Sequence, residues 1–216
     1  MFAFDSFQVC IYCHTPHGAN VSAMHNGSGA QSLDGAYLWN RSIPGQKFDV
    51  YASSSINYLS NATSPQPGPQ SLLCLSCHDG IGAINVLLNP GTLTANFTGT
   101  TINQFGDVSG DPIISSLNIG GASGTGAGLD PAEGTGGADL RNDHPVGFVY
   151  NGSLSLADGE LTSPFSDESV DAGKIVRLFT GRLECSSCHN PHDNTNGAFL
   201  VMDNAGSSLC LVCHIK

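Results

Sequence analysis

A chain of 216 residues with 7 Lys and Arg against 18 Asp and Glu carries a formal charge of −11, which makes nucleic acid and anionic lipid poor partners. No stretch reaches the eighteen or so consecutive apolar residues of a membrane span, and Met1-Phe2-Ala3-Phe4-Asp5 lacks the basic start and apolar core of a signal peptide. Only 12% of residues are charged, and 27 Gly and 11 Pro accompany abundant Ser, Thr and Asn, so a loop-rich chain with a modest apolar core is expected, most simply one domain.

The first element in chain order is Cys10-Ile11-Tyr12-Cys13-His14, followed by Thr15-Pro16-His17. In C-x-x-C-H, two cysteines three apart form thioethers to the vinyl groups of one haem, and the next histidine swings under the porphyrin as its proximal iron ligand. A redox dithiol or half of a zinc site also uses C-x-x-C, but neither requires histidine directly after it. The pattern recurs at Cys74–His78, Cys185–His189 and Cys210–His214, which decides for covalent haem c, four per chain. All 8 cysteines are consumed: Cys10, Cys13, Cys74, Cys77, Cys185, Cys188, Cys210 and Cys213.

The stretch Asn20–Ser71 holds Tyr37 and Trp39, expected to cover porphyrin edges, and a polar loop, Pro65-Gln66-Pro67-Gly68-Pro69. Ser71-Leu72-Leu73-Cys74 then reads as the capped start of a short helix whose first turn carries the attachment cysteines; Ser207-Ser208-Leu209-Cys210 reads the same way. Ala83–Leu88, Thr92–Phe97 and Pro112–Leu117 have the β-branched and apolar character of short strands. From Gly120 to Gly137 the chain reads as a long loop. Pro145 fixes the backbone just after His144, and Lys174–Phe179 with Arg182–Glu184 reads as a hairpin about Thr180-Gly181.

C-x-x-C-H-x-P-H at Cys10–His17 returns at Cys185–His192, each followed by a second motif introduced by Ser-Leu, so the chain is an internal duplication. The spacer between paired motifs is 59 residues in the first copy and 20 in the second, so the first carries 39 extra. Residues 7–80 form the first haem pair with its insert, 81–180 a β and loop link, and 181–216 the second pair. The expected fold is mostly irregular, a few short helices and β-strands wrapped around a haem stack.

Of 8 histidines, His14, His78, His189 and His214 are proximal ligands, leaving His17, His25, His144 and His192 as four distal ones. Met24 and Met202 are read as packing residues. No G-x-S-x-G, phosphate-cradling glycine loop or acidic metal cluster occurs; Asp203 and the acids at 167–171 read as solvated surface, so no catalytic residue is assigned and the chain is not read as an enzyme. Outer-sphere electron transfer is the expected work. Six Asn-x-Ser/Thr sequons, at Asn20, Asn26, Asn40, Asn61, Asn96 and Asn151, leave room for glycans.

With these residues in view, the chain resembles the doubled C-x-x-C-H cytochromes and, within them, the OmcE-like tetrahaem cytochromes that polymerise into extracellular nanowires. The resemblance spans the four motifs, the CHTPH and CHNPH pairs and the DHPVGF stretch. It implies a homopolymer with a continuous haem chain, two histidines on each iron and one distal histidine donated by the adjacent subunit. It also implies export through the periplasm to the cell surface, and redox partner cytochromes or extracellular electron acceptors.

Chain length supplies the assignment. His192 lies three residues after His189, too few to reach the opposite face of the same porphyrin, so it is expected on the second haem, leaving His25 and His144 for the first and third. By the same geometry His17 cannot serve the haem at Cys10 and Cys13. Paired with the fourth haem of an adjacent subunit, it produces an open, head-to-tail interface and a filament. The alternative is that His17 binds an iron of its own subunit and the chain is a monomeric periplasmic shuttle.

Overall fold

A computed structural model describes residues 9–20, 37–43, 45, 47–51, 53, 66–78, 87–89, 138–141 and 143–215. It is loop-rich with a few short helices, as the composition predicts. The chain divides into two compact units, Met1–Tyr51 with Leu72–His144, and Ala52–Ser71 with Pro145–Lys216. The first two C-x-x-C-H motifs fall in unit one and the last two in unit two.

In unit one a 3-10 turn, Val9–Tyr12, opens the first motif. Strand β1, Phe48–Val50, pairs in parallel with β2, Ala138–Leu140, in the register Phe48↔Ala138 to Val50↔Leu140. Phe48 and Leu140 close over Leu75 of helix α1, Pro69–His78, with Val50 and Leu72 alongside. Burying side chains of this size contributes about 1.5–3 kcal/mol each. Trp39 and Ile43 pack on Leu73. Three-residue strands leave most backbone groups unpaired, so a side chain stitches the loops: Asn40, 0% exposed, donates from Nδ2 to Ile11 O (2.7 Å) and Asn89 O (2.9 Å) and accepts from Asn89 N–H (2.8 Å). That amide is fully committed, which closes the Asn40 sequon in the folded chain.

Among the described residues, unit two has the larger core: Phe148, Tyr150, Val170, Val176, Leu178, Leu183 and Leu209. Helix α2, Gly152–Asp158, begins where Asn151 Oδ1 accepts from Leu154 N–H (2.9 Å) and stops at left-handed Gly159 (φ 75°). Of the expected hairpin the two-residue turn is present: Thr180 (φ 54°) and Gly181 (φ 72°) both lie in the left-handed region, and Phe179 and Arg182 exchange backbone hydrogen bonds. The arms pair elsewhere, the first with 168–170 through Val170 N–H to Val176 O (3.0 Å) and Leu178 N–H to Glu168 O (2.7 Å). The second arm pairs with 147–150 through Gly147 N–H to Leu183 O (2.7 Å) and Leu183 N–H to Phe148 O (3.1 Å). A Cβ on Gly147 (φ 82°) would lie 2.1 Å from Gln66 O, so only glycine permits that approach.

Local expectations fare unevenly. Thr92–Phe97, Pro112–Leu117, Gly120–Gly137 and most of Ala83–Leu88 lie outside the described residues; Leu87 and Leu88 are irregular rather than strand. Ser71 is no cap: α1 starts two residues earlier at Pro69, whose fixed φ and missing N–H suit a first helical position, and its cysteines lie in the helix middle and end. Pro67 and Gly68, read as polar loop, are buried against that start. Before the fourth motif Asn204, not Ser207, is the turn former, its Oδ1 accepting from Leu209 N–H (3.1 Å).

Asp171 orders the turn that delivers Val176 to the unit-two core. Its carboxylate accepts from Ile175 N–H (3.1 and 3.2 Å) and Val176 N–H (2.8 Å). Partial burial works against the charged form, but hydrogen bonds from Val176, Ile175 and Gly173 outweigh it and hold the carboxyl below its usual range. A depressed carboxyl contributes stability above its unfolded value and loses it as pH falls through the folded one. Asp171→Ala is therefore expected to cost about 1–2 kcal/mol near neutral pH; in guanidinium unfolding, the difference from wild type should close below the ordinary aspartate range.

Candidate haem-attachment sites

Thioether attachment to one porphyrin needs two sulfurs on one side of the backbone and a histidine that leaves their helical turn. In the first motif Cys13 N–H (3.1 Å) and His14 N–H (2.8 Å) both return to Cys10 O. The third is helix α3, Cys185–Cys188, ending at extended His189 (φ −120°, ψ 136°). The fourth is α4, Cys210–Cys213, ending at His214 (φ −98°, ψ 132°), which bridges Leu161. One turn brings positions i and i+3 to the same face, and the break to extended backbone turns the histidine away. The second motif differs, lying wholly within α1 with His78 as its last residue.

Two histidine rings are oriented by backbone. His189 Nδ1 lies 2.9 Å from Ala198 O, and His14 Nδ1 contacts Tyr37 O in the same manner. With its proton on Nδ1 donated to the carbonyl, a neutral imidazole presents the Nε2 lone pair to a metal. Around each ring the backbone repeats: Thr15 N–H to Leu38 O (2.8 Å) and Asn40 N–H to Cys13 O (2.8 Å) in the first copy, Asn190 N–H to Phe199 O (2.7 Å) and Val201 N–H to Cys188 O (3.0 Å) in the second. His14 bridges Trp39 where His189 bridges Leu200. Leu38 (φ 52°) and Phe199 (φ 56°) share a left-handed backbone, which costs on the order of 1–2 kcal/mol and turns the preceding carbonyl towards the imidazole.

The accepting carbonyl comes 23 residues after the first histidine and 9 after the second. The duplication extends beyond the motifs to Tyr37-Leu38-Trp39-Asn40 and Ala198-Phe199-Leu200-Val201, segments with no identical residue at matched positions. Trp39 adds specific contacts, an edge-on approach to His14 (5.7 Å, 86°) and Nε1–H donation to Ser76 Oγ (3.2 Å).

Burial pushes the Cys13 thiol up to about 12, with Cys77 adding to the rise and Arg41 opposing it. Burial pushes Cys188 up to about 11, helped first by Cys213, and Cys213 to about 11, where the Tyr150 hydroxyl opposes. In both units the second cysteine of one motif thus acts electrostatically on the second cysteine of its partner. These protons vanish once thioethers form. Tyr150 OH donates to Thr162 O (2.7 Å); burial, then Cys213, raises its own pKa.

Glu184, read from sequence only as the hairpin's end, anchors the third motif. It is 1% exposed; its Oε2 accepts from Gly68 N–H (3.1 Å) and from the Ser71 hydroxyl, whose oxygen in turn accepts Cys185 N–H (3.0 Å). Burial raises the carboxyl's pKa, opposed by Ser71, Gly68 and Arg182. A lone glutamate before a motif carries no sequence signal, because its partners lie 113 and 116 residues away.

The residues fit haem c. Exposed Tyr37, Leu38, Leu211 and Ile215 flank the motifs with apolar surface suited to a porphyrin face. Beside the third motif, Arg182 Nε is buried without a hydrogen-bond partner, a donor suited to a propionate. His17, His144 and His192 are exposed; His25 lies outside the described residues. His17 and His192 occupy the same place in the two copies, three residues beyond the histidine of a C-x-x-C-H motif.

Residues 178–216 match the family described as the doubled CXXCH motif. No curated protein matches the chain. The family match supports a multihaem c-type cytochrome with covalently bound haem c, a protein of electron transfer.

A Cβ on Gly68 would stand 2.0 Å from Glu184 Oε1. Gly68→Ala is expected to displace the carboxylate from its donors and destabilise the holo chain by about 1–3 kcal/mol, measured by denaturant unfolding followed in the Soret band and by circular dichroism.

Proposed function

We propose that the chain is a tetrahaem cytochrome subunit whose irons each take two imidazoles and whose copies join head to tail in an extracellular, electron-conducting filament. Bound haem supplies a reversible ferric–ferrous couple for outer-sphere transfer. The chain contributes four cysteine pairs, and His14, His78, His189 and His214 as proximal ligands. His25, His144 and His192 serve irons of the same subunit, and His17 serves the fourth haem of its neighbour. The protein fixes spacing, excludes water and selects the imidazole tautomer; no residue is assigned a catalytic role.

The observation that carries this reading is the equivalence of His17 and His192. Both stand exposed at the same point of the repeated backbone, so both suit a haem other than the one their own segment holds. His17 belongs to the first of the two copies, and in this reading the haem it serves is the fourth of the neighbouring subunit. Thr15 Oγ1 and Asn89 Nδ2 both donate to His17 O (2.8 and 2.9 Å), which pins the backbone while the side chain stays accessible. Export through the periplasm, redox partner cytochromes or extracellular acceptors, and glycans at open sequons belong to the same reading.

His17→Ala tests it. Negative-stain imaging should show filaments for wild type and none for the variant, while electron paramagnetic resonance shows altered ligation at one haem only. A variant that still polymerised with all irons bis-histidine would refute the joint, and a monomeric wild type would identify a soluble shuttle. Intact mass should show four haems on wild type and three on the Cys185→Ala/Cys188→Ala chain.

A further inference from the structure

The backbone repeat that matches Cys13, His14 and Asn40 with Cys188, His189 and Val201 also sets Arg41 at the position of Met202. Arg41 is 3% exposed, and its Nε–H donates at 3.0 Å to Ser76 O, between the two cysteines of the second motif. Its chain neighbour Asn40 is bonded through N–H to Cys13 O in the first motif (2.8 Å). A buried guanidinium is therefore lodged between the two attachment segments of unit one, close enough to act on the Cys13 sulfur. Unit two differs. Met202 packs against the apolar cluster, and the arginine nearest the third motif, Arg182, acts on buried Glu184, a carboxylate of opposite sign.

We infer that Arg41 sets an electrostatic step within the subunit, making the haems of the first motif pair easier to reduce than those of the second. A haem that gains an electron gains negative charge, and a nearby fixed cation favours that state, more strongly where low dielectric replaces water. Arginine keeps its charge at every working pH, so the step is a permanent feature of the fold. It rests on haem attachment at the motifs, not on polymerisation.

The test is a spectroelectrochemical titration of the holo chain at fixed pH and ionic strength, with haem content checked by intact mass. Arg41→Met, which installs the residue of the second copy, is expected to move half of the haem signal to lower potential. The change should be at least tenfold in the electron's equilibrium constant, about 59 mV for one electron, with the other half unmoved. Arg41→Lys, which keeps the charge, should stay near wild type, and Met202→Arg should raise the half that Arg41→Met left in place. A fully loaded Arg41→Met chain that titrates like wild type, or whose whole signal moves uniformly, overturns the inference. If Arg41→Met fails to load haem, Met202→Arg decides alone, and an unchanged titration overturns the step.

Discussion

The contact on which the rest depends is that between the Nδ1 of a motif histidine and a backbone carbonyl. A free imidazole offers either nitrogen to a metal and rotates about two bonds; one accepted hydrogen bond settles both the tautomer and the ring plane. To supply it, the chain must leave the motif, travel out and return antiparallel to the histidine. That return fixes the paired hydrogen bonds around Cys13–Thr15 and Cys188–Asn190. It also explains why Leu38 and Phe199 tolerate left-handed backbone despite their bulk. The strain is local, and the acceptor it aims is functional.

Around these returns, polar side chains do what long sheets do elsewhere. Asn40 satisfies three backbone groups from a fully buried position, Asp171 closes a turn, and Glu184 collects donors from residues distant in sequence. Each such group is costly to leave unmade in the interior, so each specifies one arrangement of loops that hydrophobic burial alone would leave degenerate. A porphyrin covalently fixed at the motifs brings the apolar surface that two small protein cores lack.

The sequence disclosed the attachment chemistry because C-x-x-C-H is contiguous: cysteines, histidine and spacing are all read from one stretch. The loop-rich character and the Thr180-Gly181 turn were legible for the same reason, since both rest on local backbone preference. The cap read at Ser71 failed because Pro69 and a distant carboxylate start the helix earlier. The carbonyl acceptors at Tyr37 and Ala198 were hidden because a backbone oxygen has no residue type, and the segments bearing them match at no position. Arg41 passed unnoticed as one of seven scattered basic residues; its importance comes from burial, a property of the folded chain alone.

The unequal arcs between histidine and acceptor, 23 residues in one copy and 9 in the other, show how little the repeat constrains what lies between its fixed points. Closing the longer arc costs only about 0.8 kcal/mol more by loop-entropy scaling, while the ring it orients is held the same way. Such an arc can grow, shrink or change composition without disturbing the metal centre it serves. In the second copy, the exposed turn Asn194-Thr195-Asn196-Gly197 is the corresponding place for grafting a foreign peptide, a port where new recognition can be added to the outside while the redox interior stays as it is.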